Sequence, residues 1–485
     1  MNKSDELTAG GFLRKLVGFS MASWLSAAIS FIVTPIYTRI YIPEEMGHIN
    51  LFTTYMTFFQ TICVMALDQA YMRFYNEEMD GIRKDNFLGY CLRFNMIIAA
   101  VSFTLIIGGY SYFSAAISDE QNIAVPICLA VVIVCSTFLR MSSISSRMEK
   151  NVVQYTIQIL AVTFVEKVVI TLVGFYKPSH KLAIMVMTGA YVILSLIFAV
   201  IKKGNMNHIG YVSRETRNAI FKFAIPYMPV LLLSWLNSSI PLLVLKKYVS
   251  YSSIGIYTSA VTMANILTIV QTGFSAYWEP FFYEHYKSEE NKEKIRKIEQ
   301  IAVLVLIFAA LSIVLFQDVI YILIGEKYRA GKLVFPCLMF TPICNCISDI
   351  VGIGIKVSKK NYLNIFAFSG SVIVNLSLSY MLVPHIGIVG AGIAVMTAAL
   401  TMLIIRCYLG RRFYRISKSC LSIISALILM VLASIVNIIA DGYIVKYVII
   451  AILLILHMLI FRKEVSYLIK FIFRFLKKGK IRRKG

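Results

Sequence analysis

Apolar residues run in blocks of about 17 to 28 along almost the whole chain, separated by short polar or basic stretches. Each block is long enough to cross a hydrocarbon core of roughly 30 Å as a helix. Blocks begin at Leu16, Gly47, Phe87, Ile123, Val152, Leu182 and Ala219, and again at Ser253, Ile298, Lys332, Tyr362, Gly387, Lys418 and Tyr443. The pattern predicts an all-α membrane protein of about 14 transmembrane helices.

Composition supports the same solvent. The chain is 58% hydrophobic and 15% charged, where soluble domains carry roughly a quarter charged residues. No stretch is polar enough for a water-facing domain of ordinary size. The N-terminus is polar through Lys15 and lacks a signal-peptide core and cleavage site, so the first span is expected to be an uncleaved anchor. The nine cysteines fall mostly within apolar runs without paired metal spacing, and are expected to be small core residues.

The net charge of +23 is first a topology signal. Threading the chain in and out from a cytoplasmic start places the basic stretches 73–84, 140–150, 202–222, 287–297, 356–360, 406–418 and the tail from 462 on one side. The opposite loops keep only a few cations, such as Lys177, Lys246 and Arg329. This predicts both termini in the cytoplasm, since an odd span count destroys the asymmetry. The basic residues belong to scattered loops with no folded module to present them, which argues against a nucleic-acid partner. The tail 462–485 interleaves Val465, Leu468, Ile469, Ile472 and Phe475 with many Lys and Arg, the pattern of an interfacial anchoring helix on an anionic leaflet.

The chain also repeats. Ser23-Trp24-Leu25 recurs as Ser234-Trp235-Leu236, Lys150-Asn151 as Lys360-Asn361, and Val186-Met187-Thr188-Gly189-Ala190 as Val395-Met396-Thr397-Ala398-Ala399. Three matches in order at an offset of about 210 residues imply a parallel repeat. The expected organisation is a six-helix lobe over 1–209, a second over 210–412, two additional helices over 413–461, and the basic tail. Two bundles about a central cleft form a plan for alternating access.

Polar side chains at helical spacing within a span should face protein or water. Ser23, Ser26, Ser30, Thr34 and Thr38 form such a stripe on the first helix, and Ser234, Asn237 and Ser238 occupy nearly the same places on the seventh. Pro35, Pro226, Pro229 and Pro241 mark expected kinks. Lys167 lies mid-span in the fifth helix, on a face shared with Thr156, Thr163, Thr171 and Gly174. A lysine there costs roughly 3 kcal/mol on insertion scales, so it should face a cleft or a resident acid such as Asp68 or Asp349. Glu166, about 100° round the helix, falls on a face of Ile159, Val162, Ile170 and Val173 and is expected to be structural. Asp68, Arg73, Arg140, Asp349 and Lys356 lie towards the cytoplasmic ends and Arg39 towards the outer end, where snorkelling is the plain reading of each. The six histidines fit no HExxH pattern and no Walker-type loop precedes a helix, so neither ATP hydrolysis, an enzyme's catalytic set nor a cofactor is expected.

The segment Thr38-Arg39-Ile40-Tyr41-Ile42-Pro43-Glu44-Glu45-Met46-Gly47 adds a resemblance, together with Gly255-Ile256-Tyr257, Ala276-Tyr277-Trp278-Glu279-Pro280 and the run from Leu382 to Ala391. With these segments the chain resembles, over nearly its whole length, the polysaccharide-export branch of the multidrug/oligosaccharidyl-lipid/polysaccharide exporter superfamily. The resemblance implies a bacterial flippase for an undecaprenyl-diphosphate-linked oligosaccharide, serving capsule, exopolysaccharide or O-antigen assembly. Its partners would be the lipid-linked oligosaccharide, membrane lipid, and a polysaccharide polymerase and glycosyltransferases. A diphosphate in a low-dielectric region needs cations, for which the candidates are Lys167, Arg39, Arg73 and Arg140. Ser30 and Asn237 are candidates for the sugar, and Asp68 and Asp349 for a coupling ion. Competing readings are an ion-coupled antiporter of drugs or metabolites on the same fold, a membrane polymerase or glycosyltransferase, and a non-transporting scaffold. The antiporter would want acidic cavity residues, which are scarce, and the enzymes would want sizeable outward loops, which are short.

Overall fold

The computed structural model describes residues 9–77, 84–206, 212–286, 292–358, 360–415, 420–440 and 443–470. Those residues form an all-helical bundle. In chain order the spans are α1 (Ala9–Ile40), α2 (Pro43–Val64, continued by Leu67–Phe74), α3 (Lys84–Gly108), α4 (Ala124–Met148), α5 (Val152–Tyr176) and α6 (His180–Ile201). After them come α7 (Arg214–Tyr248), α8 (Tyr251–Ala264, continued by Leu267–His285), α9 (Lys292–Leu315) and α10 (Phe335–Leu338, Phe340–Val351 and Ile353–Val357).

The next helix is a single 48-residue run, Asn364–Arg411, interrupted by non-helical backbone at Ile386 and Gly387. Gly387 has φ 54° and ψ −128°, a conformation that a side chain strongly disfavours. The run is a hairpin of two antiparallel helices, α11 (364–385) and α12 (388–411). The Ser371 hydroxyl donates to the Ala398 carbonyl at 2.9 Å, and Gly370 packs on Ile405. α13 (Leu421–Ile439) and α14 (Tyr443–Ile460) complete the bundle. Among the described residues, nine helices are long and apolar enough to span, or thirteen with each bent pair as one span. Dividing the 48-residue hairpin brings the number to the fourteen expected.

Three breaks matter more than the prolines do. α1 and α7 stay helical through Pro35, Pro226, Pro229 and Pro241. α2 bends by 48° at Met65 and Ala66, both in the left-handed region at φ 48° and 54°. α8 bends by 46° at Asn265 and Ile266, and α10 is entered through a 64° turn from the 3-10 helix Glu326–Leu333. α5 has a π-helical stretch at Phe164–Val169, a local widening that often accompanies function.

A large continuous apolar core joins the helices, and a smaller cluster of Trp278, Phe282, Ile295, Ile350 and Ile353 ties α8, α9 and α10 together. Their outer faces are as apolar as the interior: Ile32, Leu196, Ile404 and Ile444 are 64%, 63%, 66% and 80% exposed. A surface of this kind has lipid as its solvent. Past α14 the chain turns by 78° into Arg462–Lys470, as an interfacial helix requires; the remainder of the tail lies outside the described residues. All nine cysteines are free thiols.

Candidate substrate cleft

α8 packs against α1, α2 and α7, and α2 also packs against α7. At the end expected to face outward, α2 and α8 meet at backbone distance. A Cβ on Gly47 would stand 2.0 Å from the Tyr251 carbonyl oxygen, and one on Gly255 would stand 2.0 Å from that of Pro43. The Asn50 amide donates to the Thr258 hydroxyl at 2.6 Å across the same crossing. His48 stacks between His180 (4.3 Å) and Tyr251 (3.8 Å), while His180 Nδ1 lies 2.7 Å from Glu45. Gly325 closes on the Thr38 carbonyl, again at a distance that only glycine permits. This end is sealed.

Away from the seal the helices separate around adjoining hollows that share walls. The largest, about 640 Å³, is lined by Ser26 and Ser30 of α1, Glu166 and Lys167 of α5, Asn265 of α8 and Asn345 of α10. Glu166 and Thr163 carry it into a second hollow with Gln60, Arg140 and Tyr191. Gln60 and Arg140 open that into a third, with Asp68, Ser234, Trp235 and Ser238. Two tryptophans frame the passage from opposite sides: Trp24 of α1 donates to Thr272 of α8 (3.0 Å), and Trp235 of α7 donates to Thr57 of α2 (3.2 Å).

The structure distributes the sequence-predicted residues unevenly. Lys167 and Ser30 lie together in the largest hollow. Lys167 has no ion-pair partner among the described residues, so neither Asp68 nor Asp349 is its resident acid. Asp68 instead accepts from two nitrogens of Arg140, at 2.9 and 3.3 Å, within the cleft. Asp349 accepts from Ser275 at 2.8 Å and lies 3.7 Å from Lys356 in a side chamber. Arg39 is exposed at the sealed end, reaching the Ile322 carbonyl at 3.5 Å. Arg73 is exposed and paired with Glu77 one turn on. Both fit the snorkelling reading, outside these hollows. Asn237 turns sideways, accepting from the Asn375 amide of α11 at 2.7 and 3.0 Å, and leaves Ser234 and Ser238 to face the cleft.

Glu166 is a correction to the expected helical wheel. It lines the cleft beside Lys167 and accepts from the Tyr191 hydroxyl at 2.6 Å. The 100° step holds for a regular α-helix; the π-helical turn around Glu166 widens the coil and lets neighbours in sequence share one cavity wall. Gln60, Asn265 and Asn345 were also missed, because single amides in apolar helices carry no periodic signal.

Asp68 is held by the bend in α2. The left-handed pair Met65–Ala66 restarts the helix at Leu67, placing the carboxylate in a new first turn, where it accepts from the Gln69 backbone N–H at 2.8 Å. Removing Arg140 strands a buried carboxylate. Arg140→Ala is expected to lower stability on the order of 1–3 kcal/mol, read as a lower midpoint of fluorescence-detected unfolding in detergent. Adding Asp68→Asn should restore part of it.

Residues 12–284 match the sequence model of a family described as "Polysaccharide biosynthesis protein". The chain belongs to this polysaccharide biosynthesis protein family. Solved structures with the same fold include the lipid II flippase MurJ in an inward closed conformation, at 15% identity and TM-score 0.65, covering 92% of this chain and 99% of that one. An inward-facing multidrug resistance MATE family transporter of the MOP superfamily matches at 13% identity and TM-score 0.61, over 80% of this chain and 94% of its own. An outward-facing one matches at 16% and 0.56, over 86% and 100%. No curated protein sequence matches the chain. The polysaccharide biosynthesis family member thus shares the fold of MOP-superfamily transporters.

Proposed function

We propose that this protein is a flippase that moves an undecaprenyl-diphosphate-linked oligosaccharide across the bacterial inner membrane, for capsule, exopolysaccharide or O-antigen assembly, by alternating access. The observation that carries the reading is Lys167, without an ion-pair partner among the described residues, in a cleft walled by hydroxyl and amide groups and by the Glu166 carboxylate, which the Tyr191 hydroxyl engages. A cation at that depth without a close ion pair is costly unless an anion visits. Hydroxyls and amides suit a sugar head, and the prenyl tail stays in lipid. Membership of the polysaccharide biosynthesis family agrees with it. The decisive experiment is a strain lacking the gene: lipid-linked oligosaccharide should accumulate facing the cytoplasm and surface polysaccharide should vanish. A polymerase would instead leave single repeat units at the surface.

The organisation into two six-helix lobes, 1–209 and 210–412, with two further helices over 413–461, belongs to the same proposal. Asn50 and Thr258, 208 residues apart, bond to each other, and Gly47 and Gly255 pack at the same separation in sequence. The crossed Trp24 and Trp235 bonds add support. Within it, Asp68 and Asp349 remain the coupling-ion candidates. The lipid-linked substrate would arrive from glycosyltransferases and pass to a polymerase.

Orientation follows from the basic loops, with both termini cytoplasmic. Reporter fusions after Ser118 and after Met206 are expected to report the outside and the inside respectively. The same side for both would overturn the threading.

A further inference from the structure

The side chamber that holds Asp349 contains a cation the sequence reading passed over. Arg406 lies on α12 more than one turn before its end, in a hollow of about 590 Å³ with Tyr227, Ser348, Asp349, Lys356 and Phe368. Its guanidinium stands over the Phe368 ring, 5.2 Å from the centroid, which holds the planar fork flat against an apolar wall. Arg406 Nε is buried and has no hydrogen-bond partner, and no carboxylate among the described residues lies within ion-pair distance of Arg406. The hydroxyl of Ser348, a residue only 2% exposed, is also unpartnered. Arg140 across the cleft is different, since Asp68 occupies its fork. Asp349 is engaged by Ser275 and approached by Lys356.

Buried donors in native proteins are paired, and a guanidinium offers donors only, in a fork that fits the two oxygens of an oxyanion. We infer that Arg406, with Ser348 beside it, forms a second anion-binding subsite, separate from Lys167, which takes a phosphate or carboxylate group of the transported head. This inference rests on the flippase reading. Leu231 and Ser234 form a common wall between this chamber and the cleft of Arg140, so one elongated substrate can reach both. A carrier with two separated anion sites suits a substrate with two separated anionic groups, such as the diphosphate and an acidic sugar. Asp349 and Lys356, 3.7 Å apart, share the chamber, and the Asp349 charge also acts on Arg406.

The test is binding to the full chain in lipid nanodiscs, titrated with inorganic pyrophosphate, with glucuronate, and with glucose as a neutral control. Arg406→Gln is expected to weaken one of the two anions by tenfold or more and to leave glucose unchanged. Loss of pyrophosphate binding assigns the subsite to phosphate, and loss of glucuronate binding assigns it to carboxylate. Arg406→Lys, which keeps the charge and loses the fork, should fall between wild type and Arg406→Gln, and it stands in if the glutamine variant does not fold. Wild-type affinity for both anions in folded Arg406→Gln or Arg406→Lys protein overturns the subsite. Failure of the flippase reading appears separately, as no accumulation of lipid-linked oligosaccharide in the deletion strain.

Discussion

Lys167→Ala is expected to abolish polysaccharide export while the protein remains expressed and inserted. The side chain faces the largest hollow with Ser26, Ser30 and Asn345. Asp68 is engaged by Arg140, Asp349 by Ser275 and Glu166 by the Tyr191 hydroxyl, so removing the lysine leaves none of these acids without a partner. The loss then falls on whatever anion the lysine meets in the cleft. A charge-assisted contact is worth about 1.5–3 kcal/mol, or roughly 10- to 150-fold in affinity. Lys167→Arg should retain part of the activity, because the charge survives while its reach and shape change. The measurement compares membrane-inserted protein with surface polysaccharide in a complemented deletion strain. Full export by a well-inserted Lys167→Ala protein would remove Lys167 from the substrate path and move the assignment to Arg140 and Arg406.

A bulky residue at the crossing of α2 and α8 is expected to stop the cycle by another route. Gly47 and Gly255 each face a partner backbone carbonyl, with no flexible side chain to move aside. Valine at either position cannot be accommodated without separating the helices, and overpacking of this kind costs about 1–3 kcal/mol or more. That shifts the ratio of sealed to open protein by roughly 5- to 150-fold. Neither glycine is needed for its own helix, where replacing it gains intrinsic propensity. Gly255→Val should therefore insert normally, fail to export, and expose the cleft to the outside. The readout is labelling of a cysteine at Asn265, in a background free of the nine native cysteines, by a membrane-impermeant thiol reagent. Labelling must rise well above that of the glycine parent. Unchanged labelling with intact export would mean that this contact is not the gate.

Much of the architecture was legible because lipid imposes local rules. A helix in hydrocarbon must satisfy its backbone internally and show an apolar face for about 20 residues, so the spans could be read one at a time. The Gly387 hairpin was already implied by two apolar blocks meeting there. The inward direction of Lys167 was legible for the same reason, since a charge in lipid is expensive and its polar neighbours share its face. The fourteen-span count is likewise a property of local patterns.

The partners of those residues were not legible. Whether Arg140 meets Asp68, whether Asn237 meets Asn375 rather than the cleft, and whether Arg406 is left unpaired all depend on how neighbouring helices rotate and tilt against one another. No residue's own periodicity carries that information. Glu166 entered the cleft through a π-helical turn that local propensity does not announce. Gly47 and Gly255 became significant only once α2 and α8 were seen to cross there, because a missing side chain signals close approach only when something approaches. The sequence by itself determined where the chain enters the membrane, how often it crosses, and which residues lipid will not accept. The tertiary structure decided which of those residues neutralise one another and which stay available to a substrate, because electrostatic pairing acts over a few ångströms between helices far apart in sequence.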